Sequence, residues 1–185
     1  GSDHGHQTVT DVIDIERDLV VAGLKDSDIS RDIVVSSNGT SALIYVHPDY
    51  SDRVRALGVH LNHADWAGRV VPADDLHLIG QAPHQYLAFA VSMRASDAVN
   101  AYGVPGTSLV AKPASGKPDR LGCGQHGGFG AHEQSPFLMI SGAGFAAGQI
   151  RGDRAAVVDI APTVLTHLGL LAEGMDGTAL QRPMT

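Results

Sequence analysis

Residues 122–136, Gly-Cys-Gly-Gln-His-Gly-Gly-Phe-Gly-Ala-His-Glu-Gln-Ser-Pro, constrain this chain more than any other stretch. The glycines exclude a regular helix and let backbone come close to a ligand or to other backbone. His126, His132 and Glu133 add two imidazoles and a carboxylate. The apolar segment that follows, Phe137-Leu138-Met139-Ile140-Ser141-Gly142, reads as a strand buried on both faces. The loop and strand together are either a ligand site or an ordinary glycine-rich connection.

A second polar group stands at the other end, in Ser2-Asp3-His4-Gly5-His6. Adjacent Asp3 and His4 offer a hard oxygen and an imidazole nitrogen, a pairing suited to zinc or a similar divalent ion. An Asp-His-Gly surface turn has the same sequence.

A chain of 185 residues with 43% hydrophobic and 18% charged residues is long enough for a sizeable core and is read as one soluble globular domain. The net charge of -7 provides no basic stripe, so a nucleic-acid polymer is not an expected partner. By the same reasoning a phosphate ester needs metal cations for its charge balance. Cys123 is the single cysteine and excludes an internal disulfide; it is a nucleophile, a ligand, or a small buried residue of the turn. No apolar run reaches the roughly 18 residues that span a membrane, and no charged-then-apolar leader precedes Asp3. Localisation is left undetermined.

In chain order, Ile15, Leu19 and Ala22 have helical spacing, with Asp14 and Glu16 in the first turn and Gly23 as the stop. The runs 33–37 and 41–46 flank Asn38-Gly39 and predict a hairpin. Pro48 ends the second strand, and Ser51 is the expected cap of a helix through Val54, Leu57 and Leu61. His60 and His63 lie in that helix as surface residues or as ligands. A strand is expected at Arg69-Val70-Val71, a helical turn over 74–79 ended by Gly80, and a buried strand over 86–93. Residues 112–118 form a breaker-rich loop, and 143–148 a Gly/Ala turn. Asp159, Pro162, Val164, Leu165, Leu168 and Gly169 bracket a helix that should pack on a sheet, with Asp159 as a cap or a chemical group.

Asp3-His4-Gly5, then Gly124-Gln125-His126-Gly127-Gly128 leading to Pro136–Gly142, then Val158–Thr163 and Gly174-Met175-Asp176-Gly177, together resemble the C-terminal part of the alkaline phosphatase superfamily. The branch most similar is that of type I phosphodiesterases and nucleotide pyrophosphatases. The resemblance implies an α/β sheet flanked by helices, built from residues 1–27 and 111–185, with an inserted α+β cap module at 28–110. It implies a hydrolase acting on small phosphate-ester substrates through two divalent metal ions, usually zinc. Asp3 and His4 match the pair that binds the nucleophile-bearing metal, and His126 matches a ligand of the second. His6 and His132 match no ligand of the family and are placed behind the ligands at most, and Thr8 and Thr10 stand on the wrong side of Asp3-His4 to be the nucleophile.

The family's nucleophile, its first metal-binding Asp and an Asp-x-x-x-His pair are not found. The chain therefore reads as a C-terminal fragment, inactive alone, weak in binding zinc, and prone to dimerise or swap domains through strand edges left without neighbours. Two other readings remain. One is a non-catalytic α/β binding domain; the other is a phosphoglycerate mutase-like, sulfatase-like or phosphonate hydrolase-like branch of the same superfamily.

Overall fold

The computed structural model describes residues 1–114, 116–142 and 144–181, so Ala143 of the expected Gly/Ala turn lies outside the described residues. Among the described residues the fold is mixed α/β, with two four-stranded sheets. The chain divides into two compact units, one of Gly1–Asp3 with Pro136–Thr185 and one of His4–Ser135.

Both sheets belong to the larger unit. The first has the order β6-β7-β1-β8, built from β1 (Gln7–Ile13), β6 (Ala95–Val99), β7 (Pro105–Ala111) and β8 (Gly124–Gln125). β1 runs parallel to β7 and antiparallel to β8. The second sheet is antiparallel, with the order β2-β3-β5-β4. Its strands are β2 (Ile33–Asn38), β3 (Ser41–Val46), β4 (Ala67–Pro72) and β5 (Leu87–Met93). β2–β5 therefore fall inside 28–110, while β7, which ends at Ala111, pairs with β1, and β6 pairs with β7 at the sheet edge.

Alternation along β3 explains how the second sheet is covered. Ala42, Ile44 and Val46 point into the main core, with Ile33, Phe89, Val91 and Met93 beside them. Two helices close that face. In α1 (Ile15–Val21), Ile15 and Leu19 are buried, and in α2 (Val54–His63), Leu57 and Leu61 are buried, each pair one turn apart. Leu43 and Tyr45 face the other way, toward Val71, Leu87 and Ala90, under Leu76 and Ile79 of a 3₁₀ segment, Ala73–Ile79.

The hairpin forms, but its strands pair through Asn38 and Ser41, so the connecting residues are Gly39 and Thr40 instead of Asn38 and Gly39. Ser51 is not the cap of α2. A 3₁₀ segment, Pro48–Arg53, with His47 as its cap, feeds directly into the helix. Asp14 does cap α1, accepting from the Arg17 N–H. Gly80 ends the 73–79 segment in the left-handed region as the sequence predicts.

In the smaller unit, α3 (Ile160–His167) follows a 3₁₀ turn, Val157–Asp159. Asp159 braces this turn structurally. Its carboxylate accepts from the backbone N–H groups of Thr178 and Ala156, which hold it below the usual carboxylate range. Residues 137–140 are not the buried strand expected from their apolar run: they are exposed and form no strand. No strand among the described residues runs beside them, and apolar side chains without a ladder partner do not make a strand.

Candidate functional site

His4 and His6 sit on the segment that enters β1, and His126 follows β8 directly. In an extended segment side chains alternate, so His4 and His6 emerge on one side and Gln7 turns into the protein, where it is 1% exposed. The antiparallel register pairs Thr8 with Gly124 and Gln7 with Gln125. The next positions outward are His6 and His126, so the ladder itself sets these two opposite one another.

The three rings meet there. Those of His4 and His126 are stacked with centroids 3.6 Å apart and planes 17° from parallel. His6 stands edge-on to both, at 5.0 Å from His4 and 5.3 Å from His126. One nitrogen from each ring lies within 4.8 Å of the others, a spacing that suits a metal ion. The His4 Nδ1 donates to the Gly5 carbonyl at 2.9 Å, which leaves Nε2 of the neutral ring as its lone-pair nitrogen.

The loop bearing His126 is fixed from beneath by Glu133, which is only 2% exposed. Its Oε1 accepts from the Gly130 N–H at 2.9 Å, and its Oε2 accepts from the Gly128 N–H at 3.0 Å and the Thr40 hydroxyl at 2.6 Å. The Thr40 N–H donates to the His126 carbonyl at 3.2 Å, so the hairpin tip bears directly on the histidine. Gly39 has φ +58, and a Cβ there would stand 2.5 Å from that carbonyl oxygen. Gly130 passes so close to the Gln7 side chain that a Cβ would overlap it at 1.3 Å. At Gly39 glycine is required by the backbone contact and by conformation, whereas at Gly130 a Cβ would have to push the buried Gln7 side chain aside.

Beside the cluster lies a cavity of about 600 Å³, with His4 and His126 in its wall and Ser41, Leu43, Gln81 and Phe129 among its other lining residues. No lysine or arginine is among the described residues that line it.

Of the residues singled out from the sequence, His4 and His126 are brought together. Asp3 belongs to the smaller unit. His6, placed behind the ligands from the sequence, is a full member of the cluster. The signal for it was its position two residues beyond His4, on the same face of an extended segment. His132 turns away, its Nε2 3.0 Å from Asp97. His60 pairs with Asp18 at 2.7 Å, and His63 Nδ1 donates to the Val59 carbonyl, so neither joins a metal cluster. Cys123 is exposed and not the small buried residue of the turn; its carbonyl accepts from the Val9 N–H. Thr8 and Thr10 lie within β1. Among the described residues no helix is long and apolar enough to cross a membrane.

Comparisons with protein-family models, with curated proteins and with solved structures found no match for this chain.

Proposed function

We propose that the chain is the C-terminal part of a metal-dependent phosphoric ester hydrolase of the alkaline phosphatase type. It would bear a divalent-metal site, of zinc type, that acts on a small phosphate ester. The observation that carries the reading is the meeting of His4 and His126, 122 positions apart in sequence and stacked at 3.6 Å. The donor set fits the group: imidazole nitrogens are good zinc ligands, and the Gly5 carbonyl fixes the His4 tautomer that leaves Nε2 to bind.

The charge balance agrees. No lysine or arginine is among the described residues lining the cavity, and the nearby Arg69 guanidinium lies over the Phe129 ring, so divalent metal would supply the positive charge at the phosphate itself. When bound, divalent metal supplies Lewis-acid stabilisation of the charge that builds on phosphoryl oxygens. The chain's own residues do the positioning. Glu133 and Thr40 hold the loop of His126, and the β1–β8 ladder sets His6 opposite it. The cavity receives the organic part of the ester. The nucleophile is assigned to sequence outside this chain, because Thr8 and Thr10 stand on the wrong side of Asp3-His4 for the role that the resemblance implies.

The test is an assay of the longer protein containing this chain with an aryl phosphodiester and an aryl phosphomonoester, with added zinc and with chelator. The expected result is chelator-sensitive turnover that His126→Ala reduces by several kcal/mol of transition-state stabilisation. Turnover unaffected by chelator would refute the reading, and so would a fully active His126→Ala protein.

A further inference from the structure

We infer that His4, His6 and His126 hold one transition-metal ion between them, as a three-imidazole site, instead of His4 and His126 being divided between two ions. This takes from the proposed function only that the imidazoles bind metal. The third ring is the deciding feature. His6 is edge-on to both members of the stacked pair, and the nitrogens of all three rings fall within 4.8 Å of one another.

At a zinc–nitrogen distance of about 2.0–2.1 Å, tetrahedral geometry sets ligand nitrogens about 3.4 Å apart. The cluster therefore needs to contract by only about 1–1.5 Å, which the soft terminal torsion of each imidazole provides by splaying the stacked rings. The backbone is already set for this by the pairing of Gln7 with Gln125 and by the bond from Thr40 to the His126 carbonyl. Two ions about 4 Å apart would each need their own donor set, whereas one nitrogen from each of these three rings already lies within 4.8 Å of the others.

The donor chemistry narrows the ion. Three borderline nitrogen donors favour zinc, cobalt, nickel or copper over magnesium or calcium, which prefer oxygen. Neutral imidazoles leave the ion its full double charge, and three protein ligands leave one coordination position for water or substrate, the pattern of zinc sites that activate water.

The test is titration of the 185-residue chain with Co²⁺ and with Zn²⁺. Metal content is read by equilibrium dialysis, and coordination by the visible spectrum of bound Co²⁺. The expected result is a single ion per chain with a four-coordinate cobalt spectrum. His4→Ala, His6→Ala and His126→Ala should each weaken binding at least about tenfold, while His60→Ala, in the half-buried pair with Asp18 outside the cluster, leaves metal binding unchanged. His6 is exposed, so its replacement should leave the circular dichroism unchanged. His6→Gln repeats the measurement without shortening the side chain as far.

Parental affinity in both His6 variants would overturn the inference, as would two ions lost separately in His4→Ala and His126→Ala. Absence of binding would overturn it together with the metal part of the proposed function. A single bound ion in a longer protein that hydrolyses no phosphate ester would remove the hydrolase reading and leave this one standing. Zinc-dependent hydrolysis with unchanged metal content in His6→Ala would do the reverse.

Discussion

Replacing Glu133 with alanine should loosen the loop that presents His126, and the cost follows from its hydrogen bonds. The carboxylate is the acceptor for Gly130 N–H, Gly128 N–H and the Thr40 hydroxyl. After truncation Gly128 N–H still has the Thr40 oxygen at 2.8 Å, so two donors, Gly130 N–H and Thr40 O–H, lose their acceptor. A buried donor left unsatisfied costs about 1–3 kcal/mol, and bonds to a charged acceptor lie at the upper end. Removing a buried carboxylate returns part of this, so the expected loss is about 3–5 kcal/mol, a large share of the 5–15 kcal/mol typical of a domain. Urea unfolding followed by Trp66 fluorescence reads it, since this single tryptophan is 7% exposed in the core of the same unit. With a slope of about 2 kcal/mol per molar the midpoint should fall by about 2 M. Glu133→Gln keeps one carbonyl acceptor but points an amide donor at another donor, so it should fall between the parent and Glu133→Ala. An alanine variant within about 1 kcal/mol of the parent would refute the claim that this carboxylate organises the loop.

Gly39→Ala meets both a left-handed φ of +58 and the His126 carbonyl at 2.5 Å. It should cost about 1–3 kcal/mol in the same urea experiment and weaken Zn²⁺ binding in parallel; parental stability and affinity would contradict the contact. Asp32 governs an acid response. Burial pushes its carboxyl up, but the Ser30 hydroxyl, the backbone N–H groups of Asp26 and Ile33, and Lys25 outweigh this and hold it below the ordinary value. Its contribution is therefore complete above the unfolded value of about pH 4 and is lost as pH falls through the lower folded value. Asp32→Asn, which also weakens the 2.6 Å bond from Arg53, should be less stable at neutral pH and show a flatter stability profile below about pH 4. Superimposable pH profiles would contradict it.

Elements whose signal lies in neighbouring residues were legible in the sequence. Asp14 with Ile15 and Leu19 gives α1, the two β-rich runs give the hairpin, and Gly80 gives the end of its 3₁₀ segment. The hairpin register was not legible, because docking of Gly39 and Thr40 against His126 is a tertiary contact that decides which two residues turn. The same limit applies to the site. Residue type and glycine context marked His4 and His126, but His6 joins their cluster only through a two-residue strand, Gly124–Gln125, too short to leave a pattern. Glu133 stood out as the carboxylate of a candidate ligand loop, and its role as a buried acceptor depends on Thr40, 93 positions away.

The segment 137–140 shows how an apolar run misleads, and it leads to a measurement. Its hydrophobicity suggested burial, yet Phe137 is 64% and Met139 77% exposed, and in the same unit Ile150 is 97% and Leu171 80% exposed. Large apolar side chains in that density on one small unit favour association. Fully burying an exposed residue of this size is worth about 1.5–3 kcal/mol, and because Phe137 and Met139 are 64% and 77% exposed they together still offer about 2–4 kcal/mol. At 1.4 kcal/mol per tenfold, that is a change of about one and a half to three orders of magnitude in a dissociation constant. The chain should self-associate with rising concentration in light scattering, and the double variant Phe137→Ser, Met139→Lys should shift the onset upward by at least about one and a half orders of magnitude. Both residues are exposed in the single chain, so the variant should keep the parental circular dichroism. A parent that stays monomeric at high concentration would show that these side chains find no apolar partner in a second copy, and an unchanged onset in the double variant would assign association to another face.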